Sequence, residues 1–393
     1  MAERQIVRRP AGRRAQIVAA ACRQFHRSGY HGVSMADVAA EVGITAPALY
    51  RHFAGKPELL RCAVESELAA LHAAARPQPG GTAGLCARLA VAAVDHRALG
   101  ALWRRDARLL PPAERARLRR GLRADVRSMT AVLADERPEL QPHEAEFLCW
   151  SALSAYGSLA NHTFAPPRRR FEQLLRRIGG ELLAAAPAAG GAAPVPGPRP
   201  APPVADSRRE ELLTAAVRLF NERGFENVST DRIGAAVGIA GPSVYKHFAT
   251  KSELLAAALV RSRERLRYEV EGAFAAAPGG GPAAALDAGL RGYVDFARRN
   301  SDYLGAMLSE TERLDPADRR AAVEFRRWFL RRWVDLLQQV RADYDTAEAR
   351  IRVHAMFALV NDGVRHPAGA PAADRAALLE AAGRAVLGLL DHG

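Results

Sequence analysis

The chain has 393 residues, with 56 lysines and arginines against 43 aspartates and glutamates, a formal net charge of +13 and a pI of about 10.3. This length suits two domains of roughly 200 residues, each large enough for its own core. A basic chain favours a polyanionic partner, although an arginine-rich composition is also typical of GC-rich genomes. No apolar run approaches the roughly 18 residues of a membrane span, and no hydrophobic stretch follows the basic N-terminus. We therefore expect a cytoplasmic protein that has no membrane partner.

The first recognisable feature along the chain is an element that occurs twice. Residues 13–66 and 208–261 superimpose without a gap at a constant shift of 195, and 23 of the 54 pairs are identical. A period of this length is too long for a solenoid repeat. It predicts two complete modules in tandem.

Each copy of the repeat predicts three short helices and the start of a fourth. In the first copy, apolar residues recur at helical spacing up to Phe25, and Gly29 ends the helix. Ser34 caps a second helix, Gly43 supplies a left-handed turn, and a third helix opens at Thr45. Two short helices joined by a glycine turn form a helix-turn-helix, whose second helix lies in the DNA major groove.

Both copies contain the pattern G-I-x-x-P-x-x-Y-x-H-F-x-x-K-x-E-L-L, at 43–60 and 238–255. On this pattern the chain closely resembles the TetR family of one-component transcriptional repressors, over about 54 residues in each half. It also resembles actinobacterial regulators that carry two TetR modules in one chain. The resemblance implies an all-α fold of two tandem modules, each a three-helix DNA-binding domain followed by a helical ligand-binding and dimerisation bundle.

The expected domains follow from the repeat and from a Pro/Gly/Ala-rich stretch between its copies. They are 1–66 (basic arm and first DNA-binding domain), 67–186 (first bundle), 187–206 (linker), 207–261 (second DNA-binding domain) and 262–393 (second bundle). The basic arm before the first helix is expected either to reach into the minor groove or to be a solvated, disordered tail.

Candidate DNA contacts are assigned by motif position and by the resemblance. Phosphate contacts and register are expected from Tyr50, His52, Lys56, Tyr245, His247 and Lys251, with Ser34 and Ser229 at the starts of the second helices. Bases or nearby phosphates are expected to face Thr45, Ala46, Pro47, Ala48, Arg51, Ala240, Gly241, Pro242, Ser243 and Lys246. A lysine at a helix N-terminus is disfavoured by the helix dipole unless an anion binds there, which favours a phosphate at Lys56 and Lys251.

The scaffold residues of the two recognition helices are identical, whereas the groove-facing ones differ. The differing pairs are Thr45/Ala240, Ala46/Gly241, Ala48/Ser243, Leu49/Val244 and Arg51/Lys246. Because base contacts carry the sequence information, unlike helices predict an asymmetric double-stranded operator.

The two bundles repeat more faintly, at a shift of 204 that aligns 110–115 with 314–319. Long helices are expected at about 112–135 and 316–341, followed by apolar helices (143–162 and 347–364) and closing helices (168–186 and 372–391). In the family, the last two helices of each subunit form a four-helix dimer interface. Because the linker tethers the modules, we expect an intramolecular pseudo-dimer, with a homodimer of chains as the competing arrangement.

The remaining helices are expected to enclose an effector cavity in one or both halves. Candidate lining residues are Trp103, Trp150, Tyr156, Asn161, His162, Tyr293, Met307, Trp328, His354, Phe357 and Asn361. The low aromatic and high alanine content favours an apolar cavity over a highly charged one, and hence a hydrophobic small-molecule effector. The four cysteines, all in the first half, fit no metal-site spacing and are expected to be reduced, buried thiols.

No enzyme motif is present: there is no phosphate-binding glycine loop, no H-E-x-x-H and no G-x-S-x-G. We therefore predict a DNA-binding repressor that needs no cofactor or metal. The alternative is a helical sensor or scaffold in which one DNA-binding module is degenerate and serves only for pairing. The charges leave this open, since residues 1–66 hold 10 basic and 5 acidic residues, and 206–265 hold 10 and 8.

Overall fold

The computed structural model describes residues 12–185, 208–277, 279–365 and 371–389, and these ranges contain helices and no strand. Nine α-helices lie in the described part of each module. The first module holds α1 (Arg13–Ser28), α2 (Met35–Glu41), α3 (Ala46–Tyr50), α4 (Lys56–Ala75), α5 (Gly81–Asp95), α6 (Leu99–Ala101), α7 (Pro112–Glu136), α8 (Pro142–Gly157) and α9 (Arg168–Ala184). The second holds α10 (Arg208–Arg223), α11 (Thr230–Ala236), α12 (Gly241–Val244), α13 (Lys251–Ala275), α14 (Pro282–Arg299), α15 (Ser301–Glu310), α16 (Pro316–Val340), α17 (Thr346–Gly363) and α18 (Ala372–Leu387).

This architecture confirms the all-α fold of two tandem modules. The long helices α7 and α16 lie within a residue or two of their expected ranges, and both open with a proline in the first turn, where a missing N–H costs nothing. Asp315 also caps α16, accepting from the Ala317 N–H at 2.9 Å and the Asp318 N–H at 3.0 Å. The expected closing helix ends earlier, because Gly388 adopts a left-handed φ of 69°.

The helix expected over 143–162 also ends early. α8 stops at Gly157, a 3₁₀ turn follows over Ser158–Asn161, and His162 is extended. The segment after α6 is irregular too, with a π-helical turn over Leu102–Asp106 and a 3₁₀ turn over Ala107–Leu109. These irregular turns put polar side chains beside the second module. The expected linker, most of the basic arm and His366 lie outside the described residues.

The two modules pair through four helices. Between the modules, α8 packs against α17 and α9 packs against α18. Within the modules, α8 packs against α9 and α17 packs against α18. α8 and α17 bury side chains around most of their circumference, as helices at the centre of a bundle do. This is the four-helix arrangement that the sequence predicts between two modules of one chain.

A buried ion-pair cluster marks this interface. Arg352 on α17 is 0% exposed and reaches Glu181 of the first module at 2.6 Å and Glu348 of its own helix at 3.0 Å. It also donates to the Val386 carbonyl at 2.8 Å. At the shift of 204 its counterpart is Leu148, so the cluster occurs once, and pairing of two identical modules would not reproduce it.

The hydrophobic core is continuous from the first DNA-binding domain through both bundles. The second DNA-binding domain has a separate core, completed by Tyr303, Ala306 and Leu314 from the α15 region. The four cysteines are buried and unbonded, as predicted, and burial raises the pKa of the Cys86 thiol to about 11 and that of Cys149 to about 12. Within the described ranges, no helix has both the length and the apolar character needed to cross a membrane.

Candidate nucleic-acid interface and inter-module cavity

Side-chain caps and a glycine turn position the recognition helix in each module. Ser34 and Asp37 form a reciprocal capping box at α2, with the Ser34 N–H donating to Asp37 Oδ2 at 2.7 Å and the Asp37 N–H to Ser34 Oγ at 3.1 Å. Ser229 caps α11, where its Oγ accepts from the Arg232 N–H at 3.2 Å. The turns that follow have φ of +67° at Gly43 and +73° at Gly238, which only glycine adopts without strain.

Buried residues anchor the recognition helices α3 and α12. Phe53 and Phe248, which follow these helices, are each 1% exposed, and the guanidinium groups of Arg14 and Arg209 lie 4.6 and 4.5 Å from the respective ring centroids. Leu49 and its counterpart Val244 are also buried, at 0% and 1%. The expectation that this last pair faces the groove is therefore wrong, because both side chains fill the core behind the helix.

The opposite face of each recognition helix is exposed. Tyr50 and Tyr245 are 53% and 54% exposed, which is unusual for a large aromatic side chain and is the same in both copies. The exposed candidates are Thr45, Pro47, Tyr50, Arg51, His52, Ala240, Pro242, Tyr245 and Lys246, and the half-buried ones are Ala46, Ala48, Ser243 and His247. The Ser34, Thr45 and Ser229 hydroxyls accept from backbone N–H groups at helix starts, so capping is their observed role.

Gly241 departs from the expected groove-facing set. It is buried against α11, and a Cβ at this position would collide with the Asp231 carboxylate and come within 2.9 Å of the Asp231 Cα. In the first module the corresponding residues are Ala36 and Ala46, so the second module has exchanged two alanines for an aspartate and a glycine. The exchange leaves an exposed carboxylate beside the recognition helix α12.

Lys56 and Lys251 are held inside their own modules. The Lys56 ammonium lies 4.3 Å from the centroid of the Tyr30 ring, and that of Lys251 lies 4.1 Å from the Phe225 centroid. Lys251 also donates to the carbonyls of Phe225 at 2.9 Å and Val228 at 3.0 Å, which occupies two of its three donors. Burial lowers the pKa of Lys56. This geometry favours a structural role in closing the loop before α11 over a phosphate clamp by Lys251.

Replacing Lys251 by methionine should therefore destabilise the loop more than it weakens DNA binding. We expect a loss of about 1–2 kcal/mol, because two buried carbonyls lose a charged donor, and faster hydrogen exchange over 225–229. The salt dependence of DNA binding should stay unchanged. The exposed Lys246→Ala is the matched comparison and should lower that salt slope by about one unit without affecting stability. The reverse pattern would make Lys251 the phosphate contact.

Buried acidic residues tie each DNA-binding domain to its bundle at equivalent places. Asp106 accepts from the Tyr30 N–H at 3.4 Å, and Glu310, 1% exposed, accepts from the Phe225 N–H at 3.4 Å. Glu310 is paired across the module boundary with Arg108, whose Nη1 lies 2.7 Å from Glu310 Oε1. A side chain of the first bundle thus helps to hold the second DNA-binding domain.

A cavity of about 1050 Å³ lies between the modules. It is lined by both bundles, so it is shared, whereas the sequence suggested a cavity within one or each half. The predicted residues that line it are Trp103, Trp150, Tyr156, Asn161, His162, Tyr293, Met307, His354, Phe357 and Asn361. Trp328 is the exception: it lies on α16 against the rings of Phe325 and Phe329 and does not line this cavity.

The cavity lining is mainly apolar, in agreement with the composition, but it also carries many charged side chains. Twelve arginines and five acidic residues are among the lining residues. Sequence reasoning missed the arginines because most lie on the long helices, where charged residues at helical spacing are typical of a solvated face. The lining includes Arg105, which donates to the Phe25 carbonyl of the first DNA-binding domain, and Arg108, the partner of Glu310.

Comparison with known proteins relates both helix-turn-helix segments to one family. The family model described as "Bacterial regulatory proteins, tetR family" matches residues 17–62 and 212–258. The HTH-type transcriptional activator FasR of Mycolicibacterium smegmatis is 39% identical over 61 residues, which is 16% of this chain and 28% of that protein. The nucleoid occlusion factor SlmA of Haemophilus ducreyi is 29% identical over 94 residues, 24% of this chain and 46% of its own length. The chain thus matches less than half the length of either relative.

Solved structures similar to the chain correspond to about half of it. A TetR-family regulator from Bordetella parapertussis covers 47% of this chain and 95% of its own, with 20% identity and a TM-score of 0.42. The ketosteroid transcriptional regulator KstR2 of Mycobacterium tuberculosis covers 43% and 88%, with 23% identity and a TM-score of 0.39.

Proposed function

Because this chain is a TetR-family transcriptional regulator with two DNA-binding modules in tandem, we propose that one chain alone spans both half-sites of its operator. It blocks transcription by occupying that operator, in the cytoplasm, and acts by binding and not by catalysis. An effector in the cavity releases it. The regulation of transcription by DNA binding follows from the family, whereas repression, release and the single-chain binding unit are the proposal.

One observation supports binding by a single chain. The two recognition helices share a scaffold but differ in their exposed residues, and the modules that bear them pack together within one chain. Two-fold related recognition helices read half-sites about one helical turn apart. Here the helices differ at Thr45/Ala240 and Arg51/Lys246, so the two half-sites should differ as well. The buried Arg352–Glu181 pair supports pairing of the first module with the second over pairing of like modules.

The shared cavity supports release by a ligand. Its lining includes Arg108, whose partner Glu310 accepts from the Phe225 N–H in the second DNA-binding domain. A ligand that draws Arg108 away leaves Glu310 as a buried, uncompensated carboxylate, which is unfavourable. The second DNA-binding domain, which has its own core, then changes its position relative to the first. A ligand can shift the equilibrium only through such a difference between the two states.

A second candidate is binding through the first module alone. The observation that favours it is the exposed carboxylate of Asp231 beside α12, where the first module has Ala36. A negative charge there repels phosphates, although an aspartate can also accept a hydrogen bond from a cytosine amino group. The two models differ in whether the second module contacts a half-site of its own.

Selection from a random duplex pool, with the mass of the complex measured alongside, tests the proposal. We expect one chain per duplex and two unlike half-sites centred about one helical turn apart. Footprinting should protect both. A palindrome occupied by two chains would contradict the single-chain unit, and protection of one half-site alone would favour binding by the first module.

A further inference from the structure

We propose that the inter-module cavity binds one phosphorylated amphiphile per chain, with its apolar tail against aromatic rings of the second module and its phosphates among arginines of both modules. This inference rests on the proposed function, since it names the chemical class of the effector. It narrows the hydrophobic effector that the composition suggested, for which a lipid, a steroid and an acyl thioester are all candidates.

The apolar part of the site is an aromatic wall formed by Tyr293, Phe325, Phe329 and Phe357. The Phe329 ring is stacked with those of Phe325 and Phe357 at centroid distances of 5.6 and 5.5 Å, and Tyr293 lies 5.0 Å from Phe357. All four line the cavity. The Tyr293 hydroxyl donates to Asn361 at 2.9 Å, and Tyr293 and Phe329 are buried, so the half-buried rings of Phe325 and Phe357 provide the surface that faces a ligand. Such a wall suits an alkyl chain.

The charged part comes from both modules. Arg119 and Arg123 on α7 and Arg326 and Arg327 on α16 line the cavity and form no ion pair with any carboxylate that the structure describes. Arg123 and Arg327 are equivalent at the shift of 204. All four side chains are exposed, so they lie at the open side of the cavity, and desolvation lowers the pKa of Arg326. Arginines without counter-charges at the mouth of a cavity are suited to bind an anion, and phosphate matches their planar donors.

A second group of basic side chains lies where the modules meet. The His162 and His354 rings are 4.9 Å apart, Arg97 donates to His162 Nδ1 at 3.2 Å, and Arg350 lies 4.2 Å from the centroid of the Phe164 ring. Burial, followed by the positive charges of His354 and Arg97, lowers the pKa of His162 to about 3. Burial and the charges of Arg350 and Arg326 lower the pKa of His354 to about 4. Both rings are therefore uncharged at neutral pH, and the positive charge here comes from Arg97 and Arg350, which favours an anionic ligand.

An unfilled hydrogen-bonding position and the size of the cavity agree with this class of ligand. His162 is 9% exposed, lines the cavity, and its Nε2 has no hydrogen-bond partner in the described chain. The volume of about 1050 Å³ is at the upper end of small-molecule sites, which run to roughly 1,000 Å³. It accommodates a tail and a large head group together. Because both bundles supply the lining, a single ligand contacts both modules.

Titration calorimetry of the full chain with matched probes tests the inference. The probes are dodecanoyl-coenzyme A, 1-dodecanoyl lysophosphatidic acid, coenzyme A alone and dodecanoate, each below its micellar concentration. We expect one site per chain for at least one of the two amphiphilic phosphates, and binding at least tenfold weaker for coenzyme A and dodecanoate. The preferred amphiphile distinguishes a nucleotide head group from a lipid phosphate. Equal binding of dodecanoate, or two sites per chain, would overturn the proposal.

Charge variants locate the head group. Arg123→Gln and Arg326→Gln, one from each module, should each weaken the amphiphile about tenfold while leaving dodecanoate unchanged, because each removes one charged contact. Arg331→Gln is the control, since Arg331 is an exposed residue on the same helix that does not line the cavity. Thermal unfolding shows whether each variant is folded. Unchanged affinity in both folded variants would overturn the assignment.

The failure of this inference can be told apart from that of the proposed function. DNA release is measured separately, by adding the bound amphiphile to the protein–operator complex. Binding without release keeps the ligand class and removes the effector role. Release by an uncharged ligand with no binding of the phosphorylated probes removes the ligand class and keeps the regulation.

Discussion

Replacing Arg352 by leucine, its counterpart in the first module, should weaken the pairing of the two modules by about 3–5 kcal/mol, since Glu181 loses its cation and Glu348 keeps only the exposed Arg177. Arg352 is fully buried between Glu181 and Glu348. A protease site placed within 187–206 allows the link to be cut and the affinity of the two halves to be measured. The expected loss corresponds to about two to four powers of ten in the dissociation constant.

Arg177→Ala provides the matched control for this prediction. Arg177 reaches the same Glu348, at 3.2 Å, but its side chain is 55% exposed, so its removal should cost less than about 1 kcal/mol. Equal and small effects of the two substitutions would show that the buried cluster does not hold the modules together. Equal and large effects would make the whole charge network, and not the buried arginine, responsible.

Grafting the first recognition surface onto the second module should convert the asymmetric operator into a palindrome. The graft is Ala240→Thr, Gly241→Ala, Ser243→Ala and Lys246→Arg, together with Asp231→Ala. The last change is required, because a Cβ at 241 meets the Asp231 carboxylate. Each mismatched base pair costs about 1–3 kcal/mol, so the native operator should bind the graft about tenfold to a hundredfold more weakly. Selection from a random pool reads out the new site.

The same graft with Asp231 retained is its control. Without room for the new Cβ, α12 must shift from α11, and we expect loss of protection over the second half-site with the first unchanged. A graft that still selects the original asymmetric site would show that these residues do not read bases. A graft that binds its palindrome equally well with Asp231 in place would contradict the packing argument.

The DNA-binding domains were predictable from the sequence because their determinants are local. A cap at Ser34, a glycine at 43 and a buried Phe53 each specify the local structure within a few residues. Because the same residues occur in a second copy, the motif is not a chance match. The order and length of the bundle helices followed from apolar periodicity in the same way. The four-helix pairing was expected from the resemblance and from the tether.

The cavity could not be predicted in this way because it depends on long-range packing. Arg119 and Arg123 have the spacing of a solvent-facing helix side, and only the approach of the second module turns that side into a cavity wall. The partners of Lys251 could not be predicted either. Its position at a helix start suggested a contact with a DNA phosphate, whereas it contacts the ring of Phe225 and two carbonyls of the preceding loop. Leu49 and Val244 differ between copies because they fill different cores, and not because they read different bases.

The two modules belong to one chain and pack together through α8 and α17, which has a consequence for gene dosage if one chain is the operator-binding unit. A repressor that must dimerise from separate subunits loses its active form with the square of the subunit concentration when it is scarce. In the proposed single-chain unit the active form is the chain itself, so its amount follows the first power of synthesis. Halving expression should therefore halve the number of operator-competent molecules, and a cell with few copies keeps a graded response to loss of the gene product.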